Sequence, residues 1–203
     1  MKKSVKIFGV LVLILVLVGI SEFLHDKKTL QNDIIRLHVV GNSNTDYDQA
    51  VKFTVKDGIV AWLQENMQDV NSAADAVEYL SGKMSELERL ANEILTENHA
   101  SYKATVSLKN EAFDTRYYDT FALPAGVYQS LRVEIGEASG RNWWCVVFPS
   151  LCIPTSSAQF CQTAVSSGMD NDLAQTLSGD EEFEIRFFIL DVFGKIENLF
   201  LFP

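Results

Sequence analysis

The sequence predicts an α+β fold in which two antiparallel helices pack on a mainly antiparallel sheet of about four to five strands, with a signal or anchor helix at the amino terminus. Apolar residues recur at helical spacing over residues 45–99, whereas they alternate with period two over much of 102–148. Runs of strands that follow paired helices favour α+β layering over a doubly wound sheet. The apolar run near the amino terminus differs in composition from the rest and predicts the signal or anchor.

Charge divides the chain into two parts. Its 203 residues, 47% of them hydrophobic, are enough for one domain with a sizeable core, and the formal net charge is −10. This acid excess argues against nucleic-acid binding as the main task, because phosphate neutralisation needs clustered lysine and arginine. Residues 1–28 carry five lysines against two acidic residues and sum to +3, which leaves −13 on the remaining 175 residues.

Residues 1–24 are predicted to be a signal peptide or an amino-terminal membrane anchor. Three lysines precede the run Ile7–Ile20, which contains no polar side chain, as in the charged and apolar regions of a secretory signal. A helix over this run rises about 21 Å, less than the roughly 30 Å of a bilayer core, and no Ala-x-Ala cleavage site follows it. Cleavage and retention as an anchor both stay open, and either one places the acidic body beyond a membrane.

After a predicted linker over residues 25–33, the body starts with a strand and two helices. The strand covers Ile34–Val40, and its alternation separates two sets of side chains: Ile35, Leu37 and Val39 on one face, Arg36 and His38 on the other. Thr45 and Asp48 then fit a capping box that starts a helix ending near Met67. A second helix is predicted from Ser72 to His99, antiparallel to the first across a short connection.

The remaining strands complete a predicted domain over residues 34–154. They are expected over 102–108, 128–135 and 143–148, with a short strand over 117–123. Gly136–Asn142 contains two glycines and is typical of a hairpin loop. Residues 155–203 are predicted to be an extension that packs on this domain, with an edge strand over 182–188 and a helix over 189–202.

Few sequence signals point to catalysis. Gly-rich phosphate loops, zinc-protease motifs and nucleophile elbows are absent, and no two of His25, His38 and His99 have a spacing that builds a local metal site. No cofactor, metal or small-molecule substrate is therefore predicted. One enzymatic alternative is a secreted cysteine hydrolase in which Cys145 or Cys152 pairs with His38.

Two pairs of residues between 143 and 152 have alternative interpretations. Cys145 and Cys152 flank a proline-containing bend and in an exported protein more often form a disulfide than a metal site, so Cys161 is either free or the alternative partner of Cys152. Trp143 and Trp144 allow a third function, a wall-carbohydrate binding module, although adjacent residues of a strand point to opposite faces.

Two longer motifs resemble the stage II sporulation protein R family. They comprise Ile35–Asn44, Asp48–Lys52 and Val55–Asp57 in the first motif, and Leu123–Tyr128, Leu131–Glu137 and Asn142–Cys152 in the second. Together they span about residues 34–153 in the family's order and spacing. Departures occur at Gly41, Asn44, Ser139 and Ser150, and none of them removes a candidate catalytic group.

The resemblance implies a non-enzymatic signalling protein of endospore formation. Members of the family are made in the forespore and exported into the space between the two membranes. There they activate a membrane-embedded aspartic protease of the mother cell, which removes the pro-sequence from the early mother-cell sigma factor. The implied partners are this protease and, through the amino-terminal segment, a membrane.

The resemblance also places a partner-binding surface on the two motifs. Its predicted residues are Arg36, His38, Asn42, Arg132, Asn142, Trp143 and Trp144. An exposed aromatic side chain flanked by arginine is typical of a binding hot spot. Replacing Trp143 or Arg36 by alanine is therefore expected to leave the fold intact and to abolish sigma-factor processing.

Overall fold

The computed structural model describes residues 27–118, 121–149, 157–166, 169, 171–178 and 184–201, together with Ile7, Ile14 and His25. Most of the predicted signal or anchor lies outside these residues. Among the helices that are described, none has the length and apolar character needed to cross a membrane.

The centre of the fold is a four-stranded mixed sheet, mostly antiparallel, which confirms the α+β class. Its strands are β1 (Ile35–Val40), β2 (Ala104–Phe113), β5 (Gly126–Ile135) and β6 (Asn142–Phe148), in the order β2-β5-β1-β6. β1 is parallel to β5 and antiparallel to β6. Two short strands, β3 (Arg116–Tyr117) and β4 (Ala122–Leu123), form a separate ribbon.

One predicted connection is wrong. Residues 136–142 do not close a hairpin, because β1 lies between β5 and β6 and pairs with both. Every residue of β1 is buried. The backbone of β1 forms hydrogen bonds with a neighbouring strand on each edge, and its side chains are packed on both faces of the sheet.

Three helices cover one face of the sheet: α2 (Asp46–Asn66), α3 (Ala73–Ser81) and α4 (Met84–Glu97). The predicted cap of α2 is confirmed, since Thr45 Oγ1 accepts a hydrogen bond of 3.2 Å from the Asp48 amide. The single helix predicted over 72–99 is instead two helices. They are separated at Gly82, a poor helix former, and Lys83, whose backbone leaves the helical region.

Close contacts hold α4 in place. The Asn92 side chain bonds to both the amide and the carbonyl of Ala104 at 2.9 Å, which fixes α4 to the end of β2. Gly58 of α2 faces α4, where a Cβ atom would lie 2.3 Å from Ile94 Cδ1. The two helices therefore pack too closely at Gly58 for a larger side chain.

A second hydrophobic core fills the opposite face of the sheet. It is formed by α1 (residues 27–33), α5 (Ser157–Ser166), α6 (Asn171–Leu177) and α7 (Glu184–Leu201), and includes Leu30, Phe113, Tyr128, Val146, Phe160, Leu173 and Leu190. Two predictions are corrected here. The expected linker is helical over 27–33, and the expected edge strand is helical over its described residues, 184–188.

Candidate interaction site on the sheet

Strand pairing gathers several predicted residues into one row. His38 of β1 lies beside Arg132 of β5 and Trp144 of β6 in the sheet register. Because side chains alternate along a strand, these three side chains share the face that is turned away from α2–α4. Glu111 of β2 and Asn142 of β6 complete a group of five residues, which we call the polar cluster.

His38 is the centre of the polar cluster. Its Nδ1 lies 3.3 Å from Glu111 Oε2 and its Nε2 lies 3.0 Å from Asn142 Oδ1, while the Trp144 ring stacks on the imidazole at a centroid distance of 5.6 Å. The residue is only 9% exposed. His38, which the sequence predicts as a contact residue, is therefore a buried, hydrogen-bonded residue.

Glu111 carries the negative charge of the cluster. Burial by itself raises the pKa of this carboxyl group, but hydrogen bonds to His38 and Arg132 outweigh that effect and lower the pKa to about 2. Arg132 Nη1 donates to Glu111 Oε1, and Arg132 Nη2 is 2.9 Å from Glu134. The ionised carboxylate is therefore part of the folded structure rather than a free acid or base.

Arg36 is fully buried and cannot belong to a contact surface in this conformation. Its guanidinium carbon lies 4.0 Å from the centre of the Phe113 ring and 5.3 Å from that of Tyr128. Nη2 donates to Tyr118 Oη at 3.2 Å, whereas Nε and Nη1 have no hydrogen-bond partner among the described residues. The predicted role of Arg36 as a contact residue is thereby corrected to that of a core residue.

Asn42 joins the two sequence motifs. Its Oδ1 accepts a hydrogen bond of 2.9 Å from the Glu137 amide, and its carbonyl accepts bonds from the amide and hydroxyl groups of Ser139. Asn42 Nδ2 donates to Asp48 at 2.9 Å. The Asn42 side chain also lies against Gly136, whose φ of 58° is in the left-handed region. We call this contact between residues 41–44 and 136–141 the motif junction. It gives Asn42 a role in holding the fold.

Trp143 lies on the other face of the sheet from Trp144. Trp143 is 36% exposed, and its ring meets Phe53 of α2 edge-on at a centroid distance of 5.5 Å. The Lys56 ammonium lies 5.1 Å from the Trp143 ring centre and also pairs with Asp57. The seven predicted contact residues therefore do not form one surface, and the two tryptophans do not form one carbohydrate platform.

We call the group of Trp143, Phe53 and Lys56 the Trp143 patch. Phe53 is 40% exposed and was absent from the predicted surface. Phe53 lies outside the buried stripe of α2, which contains Val51, Val55, Ile59 and Leu63. This helical position in the sequence indicates that Phe53 is exposed, but only the packing of α2 against β6 shows that it meets Trp143.

The cysteines do not support the predicted pair of Cys145 and His38. Cys145 is disulfide-bonded and lies opposite Leu37, in the core on the helix-covered face, whereas His38 points to the other face. Cys161 is a free cysteine. Cys152 lies outside the described residues, so its bridge to Cys145 stays a prediction.

Over the part of the chain that the structure describes, no group of three or more histidine, cysteine, aspartate or glutamate residues could hold a metal ion. The polar cluster offers only His38 and Glu111 of these types.

Comparison with known proteins gives one consistent result. The family model described as stage II sporulation protein R matches residues 31–158. The stage II sporulation protein R of Bacillus subtilis (strain 168) is 30% identical over 160 residues, which cover 75% of this chain and 71% of that protein. No solved structure matches. The matched region contains the whole sheet, the polar cluster, the motif junction and the Trp143 patch, whereas α6 and α7 lie beyond it.

Proposed function

Because this chain belongs to the stage II sporulation protein R family, we propose that it is an exported, non-enzymatic sporulation signal that activates a membrane-embedded aspartic protease. The protease then removes the pro-sequence from the early mother-cell sigma factor. In this proposal the chain is made in the forespore, acts in the space between the two membranes, and reaches a membrane through its amino-terminal segment.

The observation that carries the proposal is the Trp143 patch. Trp143 and Phe53 are large aromatic residues that stay partly exposed, and Lys56 adds a cation against the indole ring. Interface hot spots are enriched in aromatic side chains whose truncation costs about 2 kcal/mol or more. The patch lies within the region that matches the family, and we assign to it the contact with the protease.

The other predicted contact residues support the patch in different ways. Asn142 is exposed at the start of β6, but its side chain bonds to His38 on the opposite face of the sheet from Trp143. His38, Arg132 and Trp144 hold β1, β5 and β6 together behind it, and Asn42 fixes the adjoining loops. Their substitution is expected to act through the fold.

The alternatives find less support in the structure. A hydrolase that uses Cys145 lacks a free thiol at that position and a histidine on the same face of the sheet. A carbohydrate platform would contain Trp143 without Trp144, since Trp144 is stacked between His38 and Arg116.

The test is reconstitution of processing. Purified full-length chain is mixed with membranes that carry the protease and the pro-form of the sigma factor, and cleavage is followed on gels. Wild-type chain is expected to induce cleavage, and Trp143→Ala and Phe53→Ala are each expected to raise the half-maximal concentration about 30-fold, as follows from about 2 kcal/mol.

Tyr117→Ala is the matched control, because Tyr117 is an exposed aromatic residue outside the patch. It should act like wild type. Absence of cleavage with wild-type chain would contradict the proposed function, whereas normal cleavage with both patch variants would contradict only the assignment of the contact.

A further inference from the structure

Strand β2 forms one edge of the described sheet. In the order β2-β5-β1-β6 it has β5 as its neighbour on one side and no described strand on the other. At ten residues it is long for an edge strand. The unpaired backbone groups of such an edge are a template for pairing with another chain. What the edge can bind depends on which of these groups are already bonded.

Helix α4 covers the first part of the edge. The Asn92 side chain bonds to the amide and the carbonyl of Ala104, and Glu88 Oε2 accepts a hydrogen bond of 3.1 Å from the Val106 amide. The backbone groups of Ala104 and Val106 therefore point away from β5. Natural proteins commonly protect an edge strand with a helix in this way, but here the protection ends at Val106.

The edge beyond Val106 is open over the part of the chain that the structure describes. Successive residues of a strand direct their backbone groups to opposite edges, so the next outward groups are those of Leu108, Asn110 and Ala112. No described residue forms a hydrogen bond with these outward groups. We call residues 108–112 the open edge.

The open edge is complementary to itself in one antiparallel register. When Asn110 lies opposite Asn110 of a second copy, the outward backbone groups of both strands meet as hydrogen-bonded pairs. Leu108 then faces Ala112 of the other copy, and Lys109 faces Glu111. Each cross-strand pair is matched, apolar with apolar, amide with amide and cation with anion. Opposite charges that face each other in this way stabilise antiparallel strands.

Charge disfavours the neighbouring registers. Moving the centre of the pairing to residue 109 places Lys109 opposite itself, and moving it to residue 111 places Glu111 opposite itself. Like charges directly across from each other are destabilising. A larger shift toward Val106 brings the second copy against α4. The charges of the open edge and the position of α4 therefore favour the register that is centred on Asn110.

The side chains of the open edge are available for these pairs. The Lys109 side chain is 45% exposed, and its ammonium lies 3.9 Å from Glu134, at the limit of an ion pair. Glu111 is held in place by Arg132 and His38, so its carboxylate has a fixed position beside the edge. Leu108 and Ala112 are half-buried, and pairing removes their remaining apolar surface from water.

From these observations we propose that two copies of the chain pair antiparallel through their open edges about Asn110. The pairing joins two four-stranded sheets into one sheet of eight strands. It places the two β2 strands at the centre and β6, which carries Trp143, at each end. A single strand pair is a small interface, so we expect a reversible dimer. This inference does not depend on the proposed protease.

The first test measures association of the full-length chain in a mild non-ionic detergent. Sedimentation equilibrium should show a reversible monomer and dimer for wild type. Asn110→Pro removes one outward amide, keeps the hydrogen bonds to β5 and is a change that edge strands tolerate. We expect this variant to stay monomeric at an about tenfold higher concentration. Asn110→Thr keeps the amide and suits a strand, so as the matched control it should dimerise like wild type.

A charge reversal tests the pairing of Lys109 with Glu111. Lys109→Glu places two carboxylates across from each other twice in the dimer, and we expect the dissociation constant to rise about tenfold. Lys103→Glu makes the same change of charge at an exposed residue outside the open edge. It should leave the dissociation constant nearly unchanged. An equal effect of the two variants would contradict the pairing, because it would reflect net charge alone.

Cross-linking measures the register. In a Cys161→Ser background, the two copies of Asn110→Cys should have Cα atoms about 5.5 Å apart, within reach of a short thiol-specific cross-linker. Thr105→Cys lies on the same strand and is also exposed, but its two copies should be about 33 Å apart. We expect cross-linked dimer at position 110 and little at position 105. Equal yields at the two positions would contradict the register.

Far-ultraviolet circular dichroism checks that each variant is folded, and three further results would overturn the proposal. Association that persists in Asn110→Pro means that the chains meet elsewhere, such as through their apolar leaders. A monomeric wild-type chain whose Leu108 and Asn110 amides are protected from hydrogen exchange means that a segment of the same chain covers the edge. A monomeric chain in which these amides exchange rapidly means that the edge does not recognise its own copy.

Discussion

Arg36 shows how a residue that looks like surface can belong to a core. An arginine in an alternating strand is expected to face water, yet here the sheet is covered on both sides and the guanidinium rests on Phe113 and Tyr128. Two of its nitrogen atoms have no hydrogen-bond partner in the part of the chain that the structure describes. Burial of a cation without a carboxylate is costly, so the side chain is expected to stabilise the fold mainly through its packing.

This leads to a prediction about Arg36 itself. Arg36→Ala removes a fully buried side chain and should lower the free energy of unfolding by about 3 kcal/mol, because a cavity remains. Arg36→Met keeps the apolar stem and removes the desolvated charge, so it should be more stable than Arg36→Ala by about 2 kcal/mol. Urea unfolding measures both. Equal losses in the two variants would mean that the charge, and not the volume, stabilises the core.

Glu111 predicts a dependence of stability on pH. Its pKa is lowered from 4.5 to about 2 in the folded protein, so the ionised carboxylate stabilises the fold above pH 4.5. This contribution, at most about 3 kcal/mol, is lost as the pH falls from 4.5 through 2. Glu111→Gln should therefore destabilise the chain at pH 7 and much less near pH 2.

The control for Glu111 is Glu93→Gln. Glu93 forms an exposed pair with Arg89 on α4, and such pairs contribute about 0.5 kcal/mol or less. Unfolding by urea at both pH values should separate the two variants. If Glu111→Gln costs the same at pH 7 and pH 2, the hydrogen bonds of the carboxylate do not stabilise the fold.

At the scale of elements, the motif junction explains why two distant motifs occur together. The loop after β1 and the loop between β5 and β6 approach backbone to backbone, and the Gly140 amide donates to the Gly41 carbonyl at 2.8 Å. Lys52 of α2 adds a bond of 3.1 Å to the Arg141 carbonyl. The junction therefore fixes the start of β6, and with it Trp143, relative to α2.

Gly140→Ala tests the junction. A Cβ atom at this position would lie 2.3 Å from the Ser43 carbonyl oxygen, so the loops must separate, and we expect a loss of about 1–3 kcal/mol in thermal unfolding. Gly82→Ala is the matched control, since its Cβ would meet the Tyr79 carbonyl at an ordinary 3.5 Å and its φ is −73°. That variant should be neutral or slightly stabilised. A neutral Gly140→Ala would show that the loops can move apart freely.

At the scale of the whole molecule, the sheet needs cover on both faces. The family match ends at residue 158, yet α6 and α7 beyond it supply Leu173, Leu177 and Leu190 to the second core. The carboxyl-terminal residues therefore complete the core of the domain as well as packing on its surface.

Leu190→Asp tests whether the two cores unfold as one unit. Leu190 is 2% exposed, and a buried unpaired carboxylate should cost more than about 3 kcal/mol and lower the single thermal transition of the whole chain. Ile196→Asp, on the exposed side of the same helix, should shift stability in solution by about 0.5 kcal/mol or less. Two separate transitions in Leu190→Asp would show that the helix-covered core is stable on its own.

The sequence alone determined the fold class, the cap at Thr45, the alternation of β1 and the membership in a family, because each depends on local periodicity or on a motif read along the chain. It did not determine strand order, the break at Gly82 or the burial of Arg36 and His38. These depend on which segments cover each face of the sheet, and residues far apart in sequence decide that. Because β1 lies between β5 and β6, residues 136–142 contribute to the motif junction and do not form the predicted hairpin. The same packing separated Trp143 from Trp144.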